Sequence, residues 1–252
     1  QSIWSAQSVA DDRLLSLAAL KQAFVVGYLQ HKPAEGKRWG MLSLATSQKI
    51  GGDPAREAET FVNLGTIQLD EANYEEALID FEKARALFSS IYGEDDEHAA
   101  RVHNNKFIAL NALGRDREAF VEIDRAVSLM RAALGAQHPE ALVSTILLSV
   151  AHRELEEFGK AIEIGDRALN AFERNSQGQY FAAAAQELGV TYRRNSDHEV
   201  ALKLLERARV AYTALLGIDD SNVGLVESQI ADVYEDQGKY AQSLEMQKRA
   251  YE

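Results

Sequence analysis

Alanine recurs along this 252-residue chain at a fixed interval. One column holds alanine at four positions and serine at the fifth, with spacings of 42, 42, 40 and 42 residues: Ala77, Ala119, Ala161, Ala201 and Ser243. A second column follows seven residues later, at Ala84, Ala126, Ala168, Ala208 and Ala250. Two columns in register indicate consecutive copies of one supersecondary unit, which buries its apolar face by stacking on its neighbours.

Each copy has the pattern of two amphipathic helices joined by a short turn, with strong helix formers between the turns. All three prolines fall in predicted connections, at Pro33, Pro54 and Pro139, where they break no helix. Glycine follows the second helix of four copies, and there it can adopt the positive φ that ends a helix. These glycines are Gly51, Gly93, Gly135 and Gly217.

The small residues are typical of close helix crossings, where a side chain larger than alanine would push the backbones apart. We expect the Ala77 column to face the first helix of its own copy and the Ala84 column to face the next copy. A third small column on the first helices is interrupted by Phe107, and consists otherwise of Gly65, Ser149, Gly189 and Ala231. Beside it runs a column of large apolar residues in which Lys106 is the exception, the others being Leu64, Leu148, Leu188 and Ile230.

The segments NLGTIQLDEANYEEALIDFEKARAL (63–87) and ELGVTYRRNSDHEVALKLLERARVAY (187–212) resemble the tetratricopeptide repeat. The 42-residue period with LGxxHP between copies is similar to the longer repeats of kinesin light chain and of bacterial proteins that carry such arrays. The resemblance implies an all-α fold, a right-handed solenoid of stacked antiparallel helix pairs.

Five repeats are predicted over residues 55–252 as one continuous solenoid, with limits near 55–95, 96–137, 138–177, 178–219 and 220–252. Residues 1–54 are predicted to form an irregular N-terminal helical repeat, and the first ten, with Trp4, the tail of an earlier helix. The chain begins with Gln1 and ends inside a helical pattern, which favours a segment of a longer protein or a processed chain.

Composition excludes several classes of function. The formal net charge of −12 disfavours nucleic-acid binding, which normally needs a basic face. The chain has no cysteine, so disulfides, thiol catalysis and thiolate metal sites are excluded. No apolar run is long enough to span a membrane. We expect a cytoplasmic protein, or a periplasmic or secreted one if Gln1 follows a cleaved signal peptide.

No catalytic motif is present, so we predict that the chain is not an enzyme and has no cofactor, metal or catalytic residue. The stretch LGAQHPEA (134–141) places a histidine, a proline and a glutamate close together. Its counterpart YGEDDEHA (92–99) has Asp96 in place of His138, so the repeat does not require histidine there. We interpret His138–Pro139 as the start of a helix, where proline's missing N–H costs nothing.

The resemblance places function on the concave surface, which the first helices line. Amides there could hold a peptide backbone, and Asn63 and Asn105 match the position that does so in related arrays. An apolar patch with arginines around it would suit a peptide with an apolar anchor and an acidic neighbour. The predicted groove consists of Asn63, Arg101, Asn104, Asn105, Ile108, Val143, Ile146, Leu147, Val150, Arg153, Gln186, Val190, Arg193 and Arg194.

The same pattern allows a second interpretation, in which Val143, Ile146 and Leu147 pack between helices. The carboxylate clamp of chaperone-binding relatives is incomplete, because Val62, Val143 and Leu147 replace its basic residues. The sequence therefore favours a non-enzymatic module that binds a peptide or helix of a protein partner. Two alternatives remain: a regulatory or sensor segment of a larger kinase, protease-like protein or transcription regulator, and a scaffold that self-assembles through its C-terminal end.

Overall fold

The computed structural model describes residues 11–174 and 178–251, and every regular element in this part is helical. Helix α1 (Asp12–Gln22) continues directly into a π-helix (Ala23–Leu29). The remaining helices are α2 (Pro33–Lys49), α3 (Pro54–Asp70), α4 (Tyr74–Tyr92), α5 (Glu97–Ala112), α6 (Asp116–Leu134), α7 (Pro139–Glu154), α8 (Phe158–Arg174), α9 (Gly178–Arg194), α10 (His198–Leu216), α11 (Ser221–Asp236) and α12 (Tyr240–Tyr251). The predicted all-α repeat solenoid is confirmed.

The chain divides into two compact units, Gln1–Leu129 and Met130–Glu252. In the first unit α1 packs on α2 and α3 on α4; in the second, α7 packs on α8, α9 on α10 and α11 on α12. Helix α3 begins at Pro54, one residue before the limit expected for its repeat, and the repeat limits remain predictions. The role expected for Trp4 and part of the connection expected around Gly178 lie outside the described residues.

Side chains satisfy the free N–H groups at the starts of the first helices. The Asp96 and Asp220 carboxylates accept the backbone N–H two residues ahead, each at 2.9 Å. His138 accepts the N–H of Glu140 through Nδ1 at 3.3 Å, and Pro139 is the first helical residue. The interpretation of His138–Pro139 as the start of a helix is confirmed. Asp96 caps the equivalent helix of the preceding copy in the same way.

Glycine ends the second helices as expected, with positive φ at all four positions. Gly93 (φ 92°, ψ 171°) and Gly217 (φ 99°, ψ 167°) combine positive φ with an extended ψ, a region that residues with a Cβ essentially do not enter. The backbone therefore turns sharply away from the helix at these points, and the next helix can begin a few residues later.

Small residues on one helix face large residues on its partner. A Cβ at Gly65 would lie 2.5 Å from the Phe81 ring, and a Cβ at Gly189 would lie 2.8 Å from Leu205 Cγ. Ser149 donates its hydroxyl to the backbone carbonyl of Ala161 at 2.7 Å. Two members of the Ala77 column lie close to the first helix of their own copy: the Ala161 carbonyl accepts this hydrogen bond, and the Ala201 carbonyl oxygen would lie 3.4 Å from a Cβ on Gly189.

The irregular first pair is closed by a very tight crossing. A Cβ on Gly36 would lie 2.2 Å from the Gly27 Cα, so the π-helix and α2 meet backbone to backbone. Nearby, Ser16 and Ser43 exchange hydroxyl-to-carbonyl hydrogen bonds at 3.0 and 3.1 Å. The Ser43 hydroxyl also lies 3.1 Å from Thr60 Oγ1, which ties the first pair to α3. This crossing positions the π-helix beside α3.

Candidate functional site

A cleft of about 530 Å³ lies on the first-helix side of the first unit, which we call the N-terminal cleft. It is formed by the end of α1, the start of the π-helix, and the facing surfaces of α3 and α5. Its lining residues are Leu20, Lys21, Phe24, Val25, Glu59, Val62, Asn63, Thr66 and Arg101. Pockets that bind ligands commonly have volumes of about 300–1,000 Å³, so the cleft is large enough to receive side chains of a partner.

One wall of the N-terminal cleft is apolar and open to solvent. Phe24 and Val25 remain 39% and 37% exposed although both are large hydrophobic residues. The Phe24 ring stacks on Tyr28 at a centroid distance of 5.5 Å, which fixes its orientation. Exposed apolar side chains inside a concavity are a typical feature of binding surfaces.

The opposite wall is polar and links two successive first helices. Arg101 Nη2 on α5 lies 2.9 Å from Glu59 Oε2 on α3. Asn63 donates from Nδ2 to the backbone carbonyl of Leu20 at 3.2 Å, so this amide N–H stabilises the chain's own fold. Asn63 and Arg101, two of the residues expected in a peptide groove, therefore line the same cleft. The Arg101–Glu59 ion pair lies on one wall, and Phe24 and Val25 lie on the other.

Three further residues of the expected groove lie on α5, outside the lining of the N-terminal cleft. Asn104 and Asn105 are half-buried, and Ile108 is 41% exposed. They belong to a first helix of the same unit but are not part of the cleft lining.

In the second unit, part of the expected apolar patch belongs to the interior. Ile146 and Val150 are 6% and 5% exposed, and Ile146 is a member of the hydrophobic core. The packing interpretation therefore describes Ile146 correctly. Val143, Leu147 and Val190 are half-buried, and Val143 packs against the same core.

The arginines expected around this patch are paired with carboxylates of neighbouring helices. Arg153 is 7% exposed, and its Nη1 donates to the backbone carbonyl and to Oε2 of Glu187 on α9, at 3.1 and 3.0 Å. Its Nε donates to Glu154 Oε1 at 2.9 Å. Glu154 also pairs with Arg194, so α7 and α9 are joined by a chain of four alternating charges.

The hydrogen bonds of this network lower the pKa of Glu154. Partial burial acts in the opposite direction, but the hydrogen bonds from Arg194 and Arg153 outweigh it and keep the pKa of the carboxyl below its usual value. Glu154 is therefore ionised at neutral pH. Arg153 links two successive repeats, because it binds Glu154 on its own helix and Glu187 on α9.

The last two residues expected in the groove lie on α9. Gln186 is 6% exposed and belongs to the interior. Arg193 Nη1 lies 3.1 Å from Asp232 on α11, which continues the inter-repeat pairing. The first-helix face of the second unit is thus crossed by ion pairs between successive repeats.

Sequence reasoning missed the residues that form the apolar wall of the N-terminal cleft. Leu20, Phe24 and Val25 stand in the irregular first pair, for which the repeat pattern gave no positions. The sequence did contain a sign of this wall. Apolar residues occupy more positions of this segment than one core-facing stripe of a helix requires, which indicates that some of them are exposed. Their exposure depends on the π-helix, whose register the helical period of 3.6 does not describe.

Two further features were sought among the described residues, a cluster of metal-ligating side chains and a membrane-spanning helix. Among residues 11–174 and 178–251, no group of three or more histidine, aspartate or glutamate side chains is arranged to hold a metal ion. No described helix is long and apolar enough to cross a membrane.

Solved structures of similar fold come from several kinds of protein. A Podosopora anserina protein that is kinesin light chain-like, with nearly identical TPR-like repeats, has a TM-score of 0.61 at 18% identity, over 79% of this chain and 95% of its own. A Rap protein complexed with competence and sporulation factor has a TM-score of 0.77 at 13% identity, over 94% and 64%. The Rap conjugation gene regulator of plasmid pLS20, in complex with the Phr* peptide, has a TM-score of 0.68 at 13% identity, over 89% and 63%.

Sequence comparison gives the family. Among curated proteins, none matches this chain. The family model of the tetratricopeptide repeat matches residues 56–120, 99–174 and 180–252, which together exceed half of the chain. The repeat period, the paired helices and this match agree, and the chain belongs to the tetratricopeptide repeat family.

Proposed function

We propose that this chain is a non-enzymatic protein-interaction module that binds a peptide or helix of a partner on its first-helix face. The observation that carries the proposal is the N-terminal cleft, where the exposed Phe24 and Val25 face the Glu59–Arg101 ion pair. An apolar anchor of the partner would be buried against Phe24 and Val25. The polar wall would orient the partner's backbone or its flanking polar groups.

Two of the similar structures support a peptide ligand in particular. The Rap protein and the pLS20 regulator are each in complex with a factor or peptide, on a fold that most of this chain shares. Their low identity means that they support the class of ligand and not its sequence. The cleft residues of this chain must therefore define its own specificity.

Selection from a displayed library of random 16-residue peptides tests the proposal. Peptides selected on the wild-type protein are expected to lose binding to Val25→Glu, because a carboxylate would enter the apolar wall. Val121→Glu is the matched control: Val121 is 65% exposed on the second helix α6, outside the lining of the cleft. A library without binders, or peptides that bind Val25→Glu as well as the wild type, would contradict the assignment.

The same peptides test the rest of the expected groove. Asn105→Ala and Arg193→Glu probe the first and second units separately. Loss of binding in either variant would add that residue to the binding surface of its own unit. Loss in Val25→Glu alone would confine it to the N-terminal cleft.

A regulatory or sensor segment of a larger protein is the second candidate, and the pLS20 regulator favours it. In that case the selected peptide should change the activity of a domain attached in the full-length protein. An attached domain that works identically with and without saturating peptide would exclude this role and leave binding itself untouched.

A further inference from the structure

The arginines of the expected groove are engaged within the protein. Arg101 Nη2 lies 2.9 Å and 3.2 Å from the two carboxylate oxygens of Glu59. In the second unit Arg153, Arg193 and Arg194 each pair with a carboxylate of a neighbouring helix. An acidic side chain of a partner would have to compete with these ion pairs. The arginines are therefore poor sites for an acidic ligand.

Lys21 is the other cation that lines the N-terminal cleft, and its charge is free. It is exposed, and among the described residues no carboxylate pairs with it. A basic residue in the last turn of a helix often compensates the free carbonyl groups of the helix end. Here α1 continues directly into the π-helix, so Lys21 has no such end beside it.

The charges of the N-terminal cleft are consequently unbalanced. Its lining has two cations, Lys21 and Arg101, and one anion, Glu59. Arg101 neutralises Glu59, so the cleft keeps one positive charge although the chain as a whole has a net charge of −12. An anionic group of a partner is the complement of this cleft.

Lys21 lies one helical turn before the apolar wall. Phe24 and Val25 follow it by three and four residues, and residues with this spacing lie on the same side of a helix. Three to four residues of helix advance by about 5 Å, which an extended peptide covers in about two residues. An apolar side chain on Phe24 and Val25 and an acidic one at Lys21 would thus be separated in the partner by one residue.

We propose that the partner carries an aspartate or glutamate two positions from its apolar anchor and that Lys21 binds this carboxylate. The inference rests on the proposed function, because it names the chemistry of the peptide in the same cleft. Lysine suits an exposed position of this kind, since its compact charge on a flexible stem needs no fixed geometry. Lys21 thereby selects among peptides with the same anchor: an acidic one gains an ion pair and a basic one meets a like charge.

The peptides selected on the wild-type protein test this inference. Those that lose binding to Val25→Glu are expected to be enriched in aspartate or glutamate two positions from an apolar residue. Lys21→Met keeps an aliphatic side chain without the charge and should weaken their binding about two- to fivefold, as expected for an exposed ion pair. Fluorescence anisotropy of labelled peptides measures this loss. High salt should weaken binding to the wild type and leave binding to Lys21→Met nearly unchanged.

A charge exchange distinguishes a direct contact from the general field of the protein. Lys21→Glu should prefer a peptide whose acidic residue is replaced by lysine over the parent peptide, the reverse of the wild-type preference. Lys32→Glu is the matched control and should keep the wild-type preference. Lys32 is also exposed, has no ion pair among the described residues and lies outside the cleft lining, and its substitution changes the net charge equally.

Failure of this inference differs from failure of the proposed function. Peptides that lose binding to Val25→Glu but bind Lys21→Glu and Lys32→Glu equally would overturn the role of Lys21 and leave the cleft as a binding site. Absence of acidic enrichment among those peptides would do the same. A library without binders, or peptides that bind Val25→Glu like the wild type, would overturn the proposed function and this inference with it.

Discussion

The third helix pair (α5–α6) and the fifth (α9–α10) use the same two packing positions in different ways. The fifth pair places Leu188 and Leu204 in its core, 1% and 7% exposed. At the equivalent positions the third pair has Lys106 and Glu122, whose charged atoms lie 2.6 Å apart and whose side chains are 14% and 17% exposed.

The neighbouring position differs as well. The fifth pair has Gly189 under Leu205, whereas the third has the fully buried Phe107 and Ile123. The fold thus accepts either a small residue facing a large one or two large residues. It also accepts an ion pair where other copies bury hydrocarbon, provided that both charges are present.

Phe107→Ala should have the largest effect, a loss of about 3–5 kcal/mol in the free energy of unfolding, because it leaves a cavity that the surroundings fill only in part. Ile108→Ala, the adjacent residue at 41% exposure, is the control and should cost much less. Chemical denaturation measures both. Similar losses for the two variants would show that Phe107 is not a core residue of the third pair.

Gly189→Ala should destabilise the fifth pair by about 1–2 kcal/mol. The new Cβ would lie 2.8 Å from Leu205 Cγ, and the strain of overpacking outweighs the gain in helix propensity. Gly159→Ala is the matched control, because nothing lies within 4 Å of its added Cβ. That variant should be as stable as the wild type or more so; equal effects in the two would refute the close crossing at Gly189.

Glu122→Leu should cost about 1–2 kcal/mol, since Lys106 loses its closer partner and keeps Glu82 at 3.3 Å. The double variant Lys106→Leu/Glu122→Leu should recover this loss and reach the wild type or exceed it by up to about 1 kcal/mol. Denaturation of the single and double variants forms a thermodynamic cycle. A double variant less stable than Glu122→Leu would mean that the ion pair is indispensable to the third pair.

Acidification should distinguish the ion pair from its apolar counterpart, with the smallest effect of the four. Burial raises the pKa of Glu122, but hydrogen bonds from His103 and Lys106 outweigh it and hold the pKa below the usual 4.5. A carboxylate with a lowered folded pKa contributes stability above its unfolded pKa and loses it as pH falls through the folded value. Below about pH 4.5 the wild type should therefore lose stability faster than the double variant, whereas parallel curves would show that Glu122 contributes nothing.

Much of the fold follows from local pattern alone. The helix limits agree with the positions of the prolines and glycines, and the close crossing at Gly189 was expected from the small column. The first pair was harder, because its π-helix follows no repeat position, and Phe24 and Val25 were consequently missed. The arginines of the expected groove lie on first helices, but their carboxylate partners on neighbouring helices lie 34 to 42 residues away in sequence.

The sequence by itself determined the repeat period, the helix pairs and the residues that cap and separate them, because these depend on interactions within a copy or on steric limits of single residues. Only the tertiary structure decided which apolar residues of α7 are buried by neighbouring helices. Helical phase places Val143 and Ile146 on nearly the same side of α7, but the packing of neighbouring helices buries Ile146 almost completely and leaves Val143 half-buried. The same packing brings Glu187, 34 residues away in sequence, to Arg153.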